Sequence, residues 1–142
     1  AEVVEHARSR SVRLALENGP MDLLRLVMDL SRRTAAQDVL GICVDTGHAN
    51  MHRDLYSEPA AAFLEEFAAS LFQFHVSDNH GEKDDHIVPG AGNVDWEAVM
   101  TALERTGYGG PVVLELNSPD PDRAASAAIA FLDGLESRRA RK

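Results

Sequence analysis

Four short runs rich in β-branched and apolar residues, "VRLALE" (12–17), "VLGICVD" (39–45), "FQFHV" (72–76) and "VVLEL" (112–116), alternate with longer segments of helical periodicity. That alternation constrains the fold most. Near-continuous apolar strands are buried on both faces, and strands joined through helices pair in parallel with right-handed crossovers. In "MDLLRLVMDLSRR" (21–33), Leu23, Leu24, Val27, Met28 and Leu30 recur near a 3.6-residue period and define one broad face expected to pack on the sheet. "EPAAAFLEEFAASL" (58–71) follows Ser57 as N-cap with Pro59 in its first turn, and "WEAVMTALERTGY" (96–108) follows Asp95 as N-cap and breaks at Gly107. The Ala-rich "DRAASAAIAFLDGLESRR" (122–139) closes the alternation, and "EVVEHARSR" reads as the end of a helix ahead of the first strand.

A (β/α)8 barrel needs about 250 residues, whereas this chain has 142 and four βα units. It is therefore expected to be an α/β chain of the TIM-barrel type, supplying half a barrel with no internal boundary across 1–142. A hydrophobic content of 44% is enough for a core. No run of eighteen apolar residues and no charged-then-apolar leader occurs, so the expectation is a cytoplasmic protein without a membrane partner. The single cysteine, Cys43, lies inside an apolar strand and reads as a packed thiol. A net charge of −9 disfavours a nucleic-acid partner, and "RRARK" at the C-terminus reads as a solvated helix end.

The strand ends carry the chemistry. Glu17 ends the first run, Asp45 the second, His75 lies near the end of the third with Asp78 three residues on, and Glu115 lies near the end of the fourth. In a parallel α/β sheet the C-terminal strand ends share one rim, where active sites sit. Three carboxylates crowded there repel one another and are pushed towards protonation, and a bound divalent cation relieves this. One imidazole with three carboxylates suits Mn²⁺, Mg²⁺ or Co²⁺, with Zn²⁺ also accommodated.

The strings "LALEN", "VDTGHAN", "FHVSDNHGEKDDHIVPGAGNVDW" and "VVLELN" make the chain resemble the C-terminal half of the xylose isomerase-like TIM-barrel superfamily. That superfamily contains the sugar phosphate isomerases and epimerases and endonuclease IV. The resemblance implies that Glu17, Asp45, His75 and Glu115 ligate a shared divalent metal, Mn²⁺ first among the candidates. It implies that His48 and His86 face a small sugar substrate, or that His48, Asp84 and His86 hold a second metal as in endonuclease IV. Asp78 and Asn79 are expected to orient the loop or His75, and Asp85 to be solvated. Gly90 and Gly92 serve the turn, while Asp95 and Trp96 start and anchor the next helix. Ala91 stands where family members often carry an acid. His6, His52 and His80 are assigned to the surface.

For the epimerase and isomerase relatives, the resemblance implies proton transfer through an enediolate, with Glu17 and Glu115 removing and returning the proton on opposite faces of the sugar and His48 hydrogen-bonding the carbonyl oxygen. Two alternatives stay open: a metal-dependent phosphodiesterase acting on abasic DNA, and a non-catalytic half-barrel fragment or metal-binding module. A half-barrel exposes two edge strands and an inner face expected to be apolar, so the expected partner is another copy of the chain or a missing N-terminal half.

Overall fold

A computed structural model describes residues 2–141, so Ala1 and the final Lys142 of the basic "RRARK" string lie outside the described residues. The order is α1 (Glu2–Ser9), β1 (Leu14–Glu17), α2 (Met21–Arg33), β2 (Leu40–Asp45), α3 (Thr46–Asn50), α4 (Pro59–Phe67), a 3₁₀ turn (Ala68–Ser70), β3 (Leu71–Val76), α5 (Trp96–Thr106), β4 (Val112–Leu114) and α6 (Pro121–Arg139). The four strands form one parallel sheet in the order β1-β2-β3-β4. Sequence neighbours are thus sheet neighbours throughout, as in a barrel wall. No described helix is long and apolar enough to cross a membrane.

The core lies between the sheet and its helices. Ile42, Val44, Phe74 and Val76 point outward from β2 and β3 and are sealed by Leu24 and Met28 of α2, Phe63 and Leu64 of α4, and Trp96 and Val99 of α5. The apolar face of α2 is narrower than its periodicity predicts. Met21, Leu24 and Met28 are buried, but Leu23 and Leu30 stay about half exposed, as does Leu26. Arg25 on the opposite flank is bound to Glu66 of α4, so the leucines face away from α4, past the free edge of the sheet.

Local chemistry sets the element ends. Asp95 caps α5 by accepting from the Ala98 N–H, and Gly107 closes that helix with a left-handed φ of 66°. Ser57 does not cap α4: Glu58 occupies the N-cap position without a side-chain bond, and Pro59 starts the helix through its fixed φ. The stretch expected as one helix to residue 71 tightens to a 3₁₀ turn after Phe67. The first strand starts at Leu14, because Val12 is held in a turn by its N–H bond to the Ala7 carbonyl. The fourth ends at Leu114, leaving Glu115 one residue past it. The short α3 is absent from the periodicity; it starts at the strand end itself, with Asp45 as its N-cap.

The long connection from Ser77 to Asp95 is fixed by one buried acid. Asp78 Oδ1 accepts from the N–H groups of Asn79 and Val94, and its Oδ2 accepts from the Gly90 N–H and the Trp96 indole. Its backbone also bridges Ile87 in both directions. Asp78 therefore orients the loop and makes no bond to His75. Gly92 allows the approach, since a side chain there would collide with Asp78 and the Asn79 carbonyl. Asn79 continues the network, donating to the Gly47 carbonyl and accepting from Asn50 and Gly81.

The inner face of the sheet is mixed rather than apolar. Alternation from the rim residues puts Ala15, Cys43, Gln73 and Val113 on it, while exposed apolar side chains collect at the two edges, at Leu16, Val112 and Val113. His6 and His80 are exposed as expected, whereas His52 is half buried, its ring 5.7 Å from that of Phe63.

Two outcomes are expected. Asp78→Ala strands three backbone N–H groups and an indole N–H in a buried loop, so chemical denaturation should show a loss of at least about 3 kcal/mol, with Asp78→Asn recovering only part. With both edge strands open, the chain alone should self-associate or capture a complementary half-barrel; a monodisperse monomer at micromolar concentration by light scattering would count against this.

Candidate metal centre

Register decides which side chains meet. Glu17 is paired with Cys43 across β1 and β2, and Asp45 with His75 across β2 and β3. Side chains alternate along a strand, so Cys43 and Asp45 share one face of β2, the inner one. The Glu115 N–H continues the β3–β4 ladder by bonding to the Val76 carbonyl, which keeps Glu115 on the same face.

The four strand-end residues converge. Donor atoms of Glu17, Asp45, His75 and Glu115 all lie within 4.8 Å of one another. His75 Nδ1 is 2.8 Å from Glu115 Oε2 and 3.5 Å from Glu17 Oε1, so one imidazole nitrogen sits between acids from the two edges of the sheet. A second group, His48, Asp84 and His86, also meets within 4.8 Å. There Asp84 Oδ2 is 2.9 Å from both His48 Nε2 and His86 Nε2, and the two rings stand nearly perpendicular. His48 Nδ1, 3.5 Å from Glu17 Oε1, connects the groups. His86 holds a left-handed φ of 49°; its Nδ1 is 3.1 Å from the Glu115 carbonyl, and its own carbonyl accepts from the Asn117 N–H. A non-glycine residue in that conformation carries local strain, retained here by contacts on both sides. Asp85 is partly buried and belongs to neither group.

Asp45 is the most constrained member. It has no exposed surface; its Oδ1 accepts from the His48 N–H and the Ser77 hydroxyl, and its Oδ2 is buried with no hydrogen-bond partner. Its main chain is gripped by Asn18, whose side chain accepts from the Asp45 N–H and donates to the Asp45 carbonyl. This amide clamp extends the β1–β2 pairing past Glu17. Asn18, Ser77 and Thr46, which bonds the Ser77 backbone in both directions, are site-building residues missed by a search for ionisable groups. Gly47 completes the packing, since any side chain on it would strike Ser77 Oγ.

Charge follows geometry. Burial pushes the Asp45 carboxyl above its usual range and the negative charge of Glu115 adds to this, against the pull of the His48 N–H and Ser77. Burial, then the charges of Glu17, Asp45 and Glu115, push the Cys43 thiol up to about 12. Burial opposes the charged form of His86, but the Glu115 carbonyl and Asp84 outweigh it and raise its value. An orphaned buried carboxylate oxygen among two glutamates and an imidazole is a donor set that could hold a divalent cation.

The sequence matches the family described as xylose isomerase-like TIM barrel over residues 1–135. The chain belongs to that family. Among solved structures, a D-tagatose 3-epimerase-like protein is 27% identical with a TM-score of 0.74, over 96% of this chain and 53% of that one. A D-allulose 3-epimerase from Methylomonas sp. is 17% identical with a TM-score of 0.71, covering 93% and 51%, a likeness of fold alone. Among curated proteins, the uncharacterized protein y4fM of Sinorhizobium fredii is 32% identical over 80% of this chain and 36% of its own length. The uncharacterized protein MJ1311 of Methanocaldococcus jannaschii is 30% identical over 81% and 40%. The chain spans about half the length of the solved structures it matches. Its four-stranded parallel sheet corresponds to half of a TIM barrel.

The buried charge generates a two-sided expectation. The folded-state value of Asp45 lies above its unfolded one, so the folded metal-free chain takes up a proton that the unfolded chain does not as pH falls from neutral through that value. Stability of the metal-free chain should rise in that window, and Asp45→Asn should flatten the rise. The parent should gain melting temperature on addition of Mn²⁺, and the same variant should not. Thermal unfolding with and without Mn²⁺, across pH, reads both.

Proposed function

We propose that the rim is the metal and proton-transfer centre of a divalent-metal-dependent sugar isomerase or epimerase, with this chain supplying the C-terminal half of its barrel. The observation that carries the reading is the placement of Glu17 and Glu115 on either side of His75 beside the orphaned oxygen of Asp45. The likeness to a D-tagatose 3-epimerase-like protein supports it. In this reading Glu17, Asp45, His75 and Glu115 hold the cation, with Mn²⁺ the first choice. The bound cation supplies electrostatic stabilisation of negative charge developing on a sugar oxygen.

The remaining work belongs to the chain. Glu17 and Glu115 come from opposite edges of the sheet, so a ketose lying over His75 meets one carboxylate on each face. One removes the proton from the carbon next to the carbonyl and the other returns one from the far side, which inverts that carbon; return to the neighbouring carbon isomerises the sugar. Both glutamates are roughly two-fifths exposed at the side chain, so substrate can reach them. Asp84 lies 2.9 Å from Nε2 of both His48 and His86 and ties the two rings together, and in this reading His48 hydrogen-bonds the sugar through Nδ1, on the side of Glu17. The second group of possible ligands, His48, Asp84 and His86, is what favours the rival phosphodiesterase reading.

In D₂O with Mn²⁺ and the complete barrel, the correct ketose should gain deuterium next to its carbonyl. Glu115→Gln should lower turnover by about two orders of magnitude or more while metal binding falls less, and Asp84→Asn should have a modest effect. No wash-in across a broad ketose panel, with cleavage of abasic DNA that Asp84→Asn abolishes, would transfer the assignment to the nuclease.

A further inference from the structure

Cys43 belongs to the rim by register rather than by sequence pattern. β1 ends level with Cys43, whose strand partner is Glu17, two residues short of Asp45. The donor atoms of Glu17, Cys43 and His75 lie within 4.8 Å of one another, as a group distinct from the one that includes Asp45 and Glu115. The two groups share Glu17 and His75. The sulfur is almost wholly buried, so it sits on the floor of the site beneath the rim carboxylates. The unpartnered Asp45 oxygen belongs to the four-residue group and lies beside the Glu17 and His75 donors that both groups use.

We propose that the site contains a second, deeper seat in which a thiophilic divalent ion such as Zn²⁺, Co²⁺ or Cd²⁺ is held by Glu17, His75 and the Cys43 thiolate. This rests on the reading of the rim as a metal centre, because two of the three ligands are shared. Sulfur, imidazole and carboxylate form a three-ligand set that leaves the fourth position of a tetrahedral ion open. The three-carboxylate seat offers hard oxygen donors and suits Mn²⁺ and Mg²⁺. Glu17 and His75 cannot serve both seats at once, so the seats exclude each other and the nature of the ion selects between them. Entry of a thiophilic ion releases the thiol proton to solvent. Cys43 is then the residue that sets metal preference.

The test uses the full chain and Co²⁺ alone. Because Cys43 is the only cysteine, any near-ultraviolet thiolate-to-Co²⁺ charge-transfer band must come from it. The parent should show that band, Cys43→Ser and Cys43→Ala should lose it, and Asp45→Asn should keep it while losing Mn²⁺. Competition titrations should show Zn²⁺ affinity falling about tenfold or more in Cys43→Ser, with Mn²⁺ affinity unchanged. Co²⁺ bound to the parent without the band would overturn the deep seat and leave the rim reading standing. Failure of the parent to bind either Mn²⁺ or Co²⁺ would remove both. The parent spectrum decides even where a Cys43 variant does not fold.

Discussion

Asp45 is a carboxylate with no exposed surface, and that burial organises its surroundings. One oxygen is consumed by the His48 N–H and Ser77, the backbone is clamped on both sides by Asn18, and the other oxygen faces inward without a partner. An unpaired buried charge is among the most costly features a small domain can hold. The inner face gathers the groups that could hold a cation, while the outer face does the folding. Phe63, Phe74, Leu24 and Ile42 lie on that outer side and are almost completely buried. Stability and chemistry thus occupy opposite faces of the same four strands. Each strand serves both because successive side chains point opposite ways.

Much of this was legible in the sequence. Strand runs interrupted by helical periodicity give the parallel sheet, and an ionisable residue at or just beyond each strand end gives the rim. Glu17, Asp45, His75 and Glu115 do meet, as do His48, Asp84 and His86. What escaped has a common physical cause. Register between strands is not written in either strand alone, so nothing in "VLGICVD" places Cys43 level with Glu17 rather than deep in a core. Neutral scaffolding residues such as Asn18 and Ser77 carry no charge to flag them, and their bonds run to residues some thirty positions away.

Helix faces are less legible in the sequence than strand ends. The period in α2 registers Leu23 and Leu30 as apolar, but burial depends on what lies opposite, and opposite them is the open flank beyond β1. Ser57 has the right chemistry for a cap, yet Pro59 sets the start of α4 one residue later. The same limit applied to the inner face, where an apolar lining was expected and a mixed one is present. The inner face carries the ionisable groups of the rim, and composition does not report which residues alternation puts beneath them.

The Asp78 cradle has a consequence for how such a chain can change over generations. Four hydrogen bonds to Asp78 tie the base of the loop to itself and to α5, so the exposed tip segment, Glu82 and Lys83, bears little of the load of folding. Residues in that segment can drift without unseating His86 or Trp96. The tip is thereby free to be re-lettered while the rim stays fixed. Substitution there should carry little penalty in stability.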